Sequence, residues 1–510
     1  MSQEENAFLR HASPSERRMI SREDLGFYSN IVVGALYEFG EDHGGGVNEE
    51  VNLQSLQTFA GPLKHCIEKF PYLKIVTRDA STEKPFFERV TSLDLKNHLT
   101  VVECPTKPGD GDKDDDQWME QILESLVDKP NCIASIPPWR VVVCPIAPAR
   151  CFVAFAYSHI IGDGPAALAF HRAFLDGLRR QQKTAAPRDV ETVLTVPEFT
   201  LPDPFDIPGR LPISWSFLLG PLLAVLLPKF VAGWLGLQAN AAKVDEGTWT
   251  GSDVFFEPGT YRSRVKVFTI DDAQVADAIR VSRAHDTKLT GTIHQLVVRA
   301  LSKHVTDAKA TNFVSQTAIS MRNSIGLPGE EWGNYASGCY GIHPVVEKEA
   351  TTGLSVSMWE SASSLSRAIA ESAVQLRDQP LGLLRYAPSI RNWIQGKLGG
   401  RRDCSYEVSN LTIFDGEDAS SSYRQDNKMK QESICGRCQI TQMVFAQPGG
   451  VVSAPLAFNL VSVRGGPLLG TITWGQGALG VPVEAEDALV EGIRRTFVGD
   501  FAGIGSCDQV

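Results

Sequence analysis

His159 closes the apolar run of residues 152–157 and is followed, four residues on, by Asp163 and Gly164, within the segment FVAFAYSHIIGDGPAALAFHRAF. A histidine on a turn at a strand end can project its imidazole into a cleft. Imidazole titrates close enough to neutral pH to take a proton and return it. An aspartate just before a helix can cap that helix or hold the turn through an ion pair, and a glycine after it permits tight backbone geometry. The same residues also fit a plainer account, a hydrogen-bonded core histidine followed by an Asp-Gly cap. H-x-x-x-D-G in isolation leaves both open.

The elements that must position these residues are legible around them. Residues 141–146 and 151–158 read as a strand pair turning at 147–150. Pro165 starts a helix through Ala167, Phe170, Phe174 and Leu178. Upstream, residues 51–70 carry Leu53, Leu56, Phe59, Ala60, Leu63 and Ile67 at helical spacing. Residues 181–208, rich in Pro, Thr and Asp, read as a crossover together with the apolar stretch that follows. The second half opens with an alternating strand over 262–270. Helices are expected over 272–284 and 290–304, the latter capped by Thr290. Strands are expected over 312–320, 456–463 and 468–474. Strands and helices mixed in both halves predict an α/β (α+β) fold. The expected division is an N-terminal subdomain over 1–200, a crossover over 201–250 and a C-terminal subdomain over 251–510.

Composition narrows the function classes. The chain has 510 residues, 43% hydrophobic and 21% charged, enough for a sizeable core and too apolar for wholesale disorder. A net charge of −11 builds no phosphate-neutralising surface, so nucleic acid is not an expected partner. Ten scattered cysteines and an N-terminus without a basic-then-apolar region predict reduced thiols in the cytoplasm. Residues 213–237, ISWSFLLGPLLAVLLPKFVAGWLGL, hold one charge, Lys229, and are about as long as a bilayer span. Pro221, Pro228 and three glycines interrupt them. The expectation is a non-spanning segment that covers an apolar cleft or rests on a membrane surface, such as the endoplasmic reticulum or a lipid droplet.

Other motifs carry less. Gly475-Gln-Gly477-Ala-Leu-Gly480 matches G-x-G-x-x-G, but Val481-Pro482 follows it and no βαβ unit remains, so a turn after a strand is expected. Asp110, Asp112 and Asp114 begin like a calcium loop, yet the sixth position is Asp115 and the twelfth Gln121. Cys435 and Cys438 form a C-x-x-C without a second pair, and no metal site is expected. Walker A, H-E-x-x-H and G-x-S-x-G sequences are missing, which removes the sequence support for ATP hydrolysis, zinc proteolysis and common esterase chemistry.

His159-Ile-Ile-Gly-Asp163-Gly164 resembles the H-x-x-x-D-G motif of coenzyme A-dependent acyltransferases, a superfamily that includes chloramphenicol acetyltransferase, the plant BAHD enzymes and peptide-synthetase condensation domains. The flanks resemble the fungal alcohol O-acetyltransferase family more closely. Leu25–Asn30 is similar to its N-terminal signature, Trp139-Arg140 to its W-R entry, and Gly259–Arg262 with the helix over 290–301 to the opening of its second half. Met321-Arg322-Asn323 and Gly333-Asn334-Tyr335 resemble the N-x-R and G-N blocks of BAHD enzymes, and Ser409-Asn410-Leu411 a late S-N block. Together these span about residues 20 to 480. The BAHD D-F-G-W-G block is missing, and Ser320 stands where the N-x-R block has asparagine.

The resemblance implies a two-subdomain fold like chloramphenicol acetyltransferase, with the reaction centre between the halves. It implies O-acetylation of an alcohol by acetyl-CoA, a co-substrate, with no permanently bound cofactor. The apolar residues 213–237 point to a hydrophobic alcohol or secondary metabolite, and a monomeric chain is expected. His159 and Asp163 are the catalytic candidates: His159 as general base, Asp163 as the residue that holds the turn by pairing with Arg322. Gly164 and Arg322 are the structural support. Ser409, Asn410 and Thr412 are candidates for the oxyanion donor, while His171 and His294 read as structural. Amine acylation and a catalytically silent binder of an apolar ligand are the alternatives.

Overall fold

The computed structural model describes residues 7–40, 51–105, 116–131, 134–183, 190–227, 231, 244–347, 353–416 and 438–505. The acidic run Asp110–Asp114 and Cys435 lie outside them.

Two mixed sheets form the frame. The first has five strands in the order Gln439–Ala446, Asn30–Glu38, Arg150–Ser158, Trp139–Ala147 and Leu99–Val101, antiparallel except for its last pair. The second has six, in the order Ser263–Ile270, Leu468–Gly475, Leu456–Val463, Tyr406–Phe414, Asn312–Ser320 and Ala336–Pro344. Its central strand Tyr406–Phe414 pairs in parallel with both neighbours. Helices flank both sheets, as the mixed pattern of the sequence predicts.

The strand Arg150–Ser158 shows why the run before His159 is continuously apolar. Phe155 and Tyr157 face the core under the helix Gly164–Lys183, where Phe155 stacks on Phe170 with ring centroids 3.9 Å apart. Phe152, Ala154 and Ala156 face the opposite side, packed with Trp118 and Leu123 of the helix Gln117–Val127 and with Val265 and Val267 of the second sheet. A strand covered on both faces needs no polar alternation.

Among the ties that join the halves, two involve strands. Gln439–Ala446 comes from the C-terminal half but pairs with Asn30–Glu38. The edge strand Ser263–Ile270 would otherwise offer bare N–H groups to any passing strand. Instead Ser263, Val265 and Val267 donate to the carboxylates of Asp128, Glu124 and Glu120, at 2.5, 3.0 and 2.9 Å. The three acids stand four residues apart along Gln117–Val127 and its C-cap, so one helix face serves alternate residues of one strand.

Several expectations change. The helix expected over 51–70 runs from Leu56 to Lys69, because Ser55 caps it, and Leu53 packs into the core ahead of it. Thr290 is no cap: the helix Leu289–His304 begins after Lys288, which makes no side-chain capping bond. After Gly475 the chain turns, with Gly477 and Gly480 at positive φ, and a helix Val483–Gly503 does begin. The phosphate-like nest is filled from within: the Gly477 and Leu479 N–H groups and the Trp474 indole all donate to the Glu486 carboxylate, at 3.0, 3.1 and 3.3 Å. Among the described residues of the apolar stretch 213–237 is the helix Trp215–Leu226, with Ser214 as its cap. Among the described residues, no helix is long and apolar enough to cross a membrane.

Candidate functional site

His159 stands one residue beyond the central strand Arg150–Ser158, on the turn that leads into Gly164–Lys183. The turn is over-determined. Arg322 donates through Nη2 and Nη1 to the two carboxylate oxygens of Asp163, at 2.6 and 2.8 Å, with both side chains buried. Tyr335 N–H adds a bond to Asp163 Oδ2 at 2.9 Å, and Tyr157 Oη donates to the Asp163 carbonyl at 2.7 Å. The guanidinium is itself fixed by the carbonyls of Glu331 and Gly333, at 2.8 and 3.2 Å, and lies over the Tyr335 ring. Trp332 Nε1 donates to the Ile161 carbonyl at 2.6 Å, and Asn334 Nδ2 to the His159 carbonyl at 2.5 Å. The block 331–335 thus grips the backbone from His159 to Asp163.

Gly164 has a separate reason to lack a side chain. A Cβ there would stand 2.2 Å from Leu411 Cδ2. Leu411 reaches it from an irregular part of Tyr406–Phe414, where the register with Leu456–Val463 shifts between Asn410 and Ile413 and Thr412 takes φ +65°. Positive φ is costly for a β-branched residue and marks a site held by its surroundings. The shift in register re-aims the strand beside the turn.

The imidazole is partly buried, with Nδ1 enclosed. Nε2 is therefore the nitrogen left to meet a reactant. Burial first, and then the positive charge of Arg22, lowers His159 to about 4; Asp163 and its own carbonyl act in the opposite direction. The ring is neutral at pH 7, the form that can accept a proton.

The sequence reading missed several residues next to this histidine. Tyr28 lies with its ring 5.8 Å from that of His159 and donates to Gln447 Oε1 at 2.7 Å. Gln447 in turn donates to Asn459 Oδ1 and to Glu407 Oε1, at 2.8 and 3.4 Å. Arg22 is buried with its guanidinium 4.4 Å from the Tyr28 centroid. Glu23 accepts from the Ser158 hydroxyl and from Asn131, and burial raises it to about 7. Arg140 and Asn30 hold Asn131, at 2.8 and 2.7 Å, so the W-R and LGFYSN blocks meet behind His159. Of the oxyanion candidates, Ser409 donates to Glu407, and Asn410 is engaged with Thr290 and the Thr412 N–H. His171 and His294 are buried and hydrogen-bonded at both nitrogens.

A family model described as alcohol acetyltransferase matches residues 112–484. The chain belongs to the alcohol acetyltransferase family. It is an acyltransferase, as the H-x-x-x-D-G resemblance implies. Among its relatives are the probable alcohol acetyltransferase crmB of Aspergillus fumigatus, 22% identical over 488 residues, covering 92% of this chain and 94% of that one. The probable alcohol acetyltransferase FCK4 of Fusarium pseudograminearum is 22% identical over 456 residues, covering 86% and 84%. Among solved structures, the trichothecene 15-O-acetyltransferase TRI3 of Fusarium sporotrichioides superposes with a TM-score of 0.63 at 12% identity, over 98% of this chain and 96% of that one. The condensation domain of the polyketide synthase MokA superposes with a TM-score of 0.54 at 12% identity, over 96% and 97%. These likenesses show the acyltransferase fold.

Proposed function

We propose that this acyltransferase moves an acetyl group from acetyl-CoA to the hydroxyl of a small hydrophobic alcohol, with His159 as general base. The observation that carries this reading is the His159 ring itself: neutral, with Nδ1 enclosed, on a turn that Asp163 and Arg322 lock. Nε2 accepts the hydroxyl proton as the oxygen attacks the thioester carbonyl. The tetrahedral adduct collapses, the C–S bond breaks, and the imidazolium returns the proton to the departing thiolate. Asp163 serves as a positioning residue, since both of its oxygens are occupied by Arg322 and the Tyr335 N–H. TRI3, a trichothecene 15-O-acetyltransferase, acetylates at an oxygen, which supports an alcohol acceptor. The exposed side of Trp215–Leu226 supports a further reading, a peripheral contact with a membrane surface. The test is thiol release from acetyl-CoA with a panel of alcohols and matched amines, with products identified by mass spectrometry. Ester formation is expected. Amide products alone, or no release with any acceptor, would overturn the proposal.

A further inference from the structure

The helix Pro14–Asp24 carries a buried cation, Arg22, that makes no ion pair among the described residues. Arg22 is 6% exposed, its Nε is enclosed without a hydrogen-bond partner, and the contact it does make is with the face of Tyr28. The acids nearby make their hydrogen bonds to other groups, and Glu407 acts on Arg22 through space without pairing with it. Glu407 accepts from Ser409 and Gln447, Glu23 from Ser158 and Asn131, and Asp24 pairs with Arg391. Other buried arginines are answered by oxygens: Arg322 by Asp163, Arg89 by the Val196 carbonyl, and Arg402 by the carbonyls of Gly450, Val451 and Ser453. Arg18, one turn before Arg22 and partly buried, adds a second positive charge, and each opposes protonation of His159. Two like charges at i and i+4 are themselves unfavourable, and a desolvated cation costs several kcal/mol unless it is paired.

We infer that Arg22, supported by Arg18, recognises an acceptor that carries a carboxylate as well as the hydroxyl, so that the preferred substrates are hydroxy acids. The inference rests on the acetyl-transfer reading and names its substrate class. The position favours the acceptor over the donor as the source of the anion. Arg22 and the base lie against the same aromatic ring, Tyr28, whereas the phosphates of coenzyme A lie at the far end of the pantetheine arm from the thioester. The pairing would also act on the base. A bound carboxylate offsets the charge that holds His159 down, so the imidazole becomes a stronger base once the matching acceptor is seated.

The experiment compares 6-hydroxyhexanoate, 8-hydroxyoctanoate and 12-hydroxydodecanoate, each with its methyl ester, as acceptors for the full chain and for Arg22→Met, Arg22→Lys and Arg18→Gln. Folding of each variant is checked by its Tm. The wild type should favour at least one acid over its ester by roughly 10–100-fold in kcat/KM, the range of a charge-assisted hydrogen bond. Arg22→Met should bring that ratio to about one, Arg22→Lys should keep part of it, and Arg18→Gln should lower it. The acid limb of the pH profile on the esters should move to higher pH in Arg22→Met, as removal of a positive charge requires. Equal use of acid and ester by the wild type for all three lengths would overturn the inference. So would a rise in KM for acetyl-CoA in Arg22→Met with the acid-to-ester ratio unchanged, which would assign the anion to the donor. Titration calorimetry separates the two readings. Tighter binding of an acid than of its ester, lost in Arg22→Met but without transfer in any assay, would overturn acetyl transfer and sustain the carboxylate site.

Discussion

Asp163 and Arg322 meet across 159 positions of sequence in a setting with almost no solvent. Breaking such a pair from one side leaves an uncompensated buried charge and costs about 3–5 kcal/mol, whereas replacing both partners with apolar groups is often near neutral. Asp163→Asn should therefore lower the Tm and the turnover together. Asp163→Asn with Arg322→Met should recover much of the Tm but not the turnover, because the turn under His159 loses its grip. Differential scanning fluorimetry beside thiol release checks this. An unchanged Tm in Asp163→Asn would remove the ion pair from the account. The residue scale is also where the sequence was least complete. Arg322 entered through the N-x-R resemblance, since no local pattern ties it to Asp163. Arg22 and Glu23 belong to no motif in the sequence; they stand just ahead of the Leu25–Asn30 block. The engagement of Ser409 by Glu407 depends on side-chain geometry that composition does not encode.

The helix Trp215–Leu226 exposes Trp215, Leu219 and Leu223, spaced four residues apart and so on one face, with Trp215 at 76% exposure. Isolated apolar side chains on a surface are ordinary, but a stripe led by tryptophan is the form that settles at a membrane interface. The protein should co-sediment with phosphatidylcholine vesicles and be released by alkaline carbonate. Trp215→Glu with Leu219→Glu should abolish co-sedimentation; binding that survives the double substitution would remove this helix as the contact. Among the elements, long periodic strands such as Asn312–Ser320 and Leu456–Val463 fall where alternation and apolar runs place them. Strands of three or four residues, Leu99–Val101 and Phe8–His11 among them, are too short to carry a period. The register shift at Leu411 and Thr412, which sets the contact with Gly164, left no mark in the pattern either, because one extra residue does not change hydrophobic spacing over so short a stretch.

At the scale of the whole molecule, the fold encloses several imidazoles in uncharged form. Burial lowers His98, His159, His171 and His343 each to about 4, and His294 well below its ordinary value. Unfolded histidines titrate near 6.5, so below that pH the unfolded chain takes up protons that the native state refuses. This contribution to stability is complete above about pH 6.5 and is lost as the pH falls toward about 4. Glu23, raised to about 7, pulls the opposite way, as do Glu120, Asp128, Glu486 and Asp500, which burial also raises; together they offset part of the histidine contribution. The Tm should fall steadily from pH 6.5 to 4.5, and a flat profile over that range would contradict the enclosure of these rings. The joining of the halves was not legible from local sequence, because Gln439–Ala446 finds Asn30–Glu38 some four hundred residues away in the chain. That the fold is a two-part acyltransferase was legible, because the ordered blocks from Leu25 to Leu411 resemble one superfamily as a set. The central claim concerns the histidine that these layers hold, and the most direct measurement is acetyl transfer by His159→Ala against the wild type at neutral pH, with the Tm of both recorded. A positioned base contributes about 10²–10⁴-fold, so kcat should fall by that factor while the Tm stays close to that of the wild type. A His159→Ala enzyme that turns over at the wild-type rate would contradict the account.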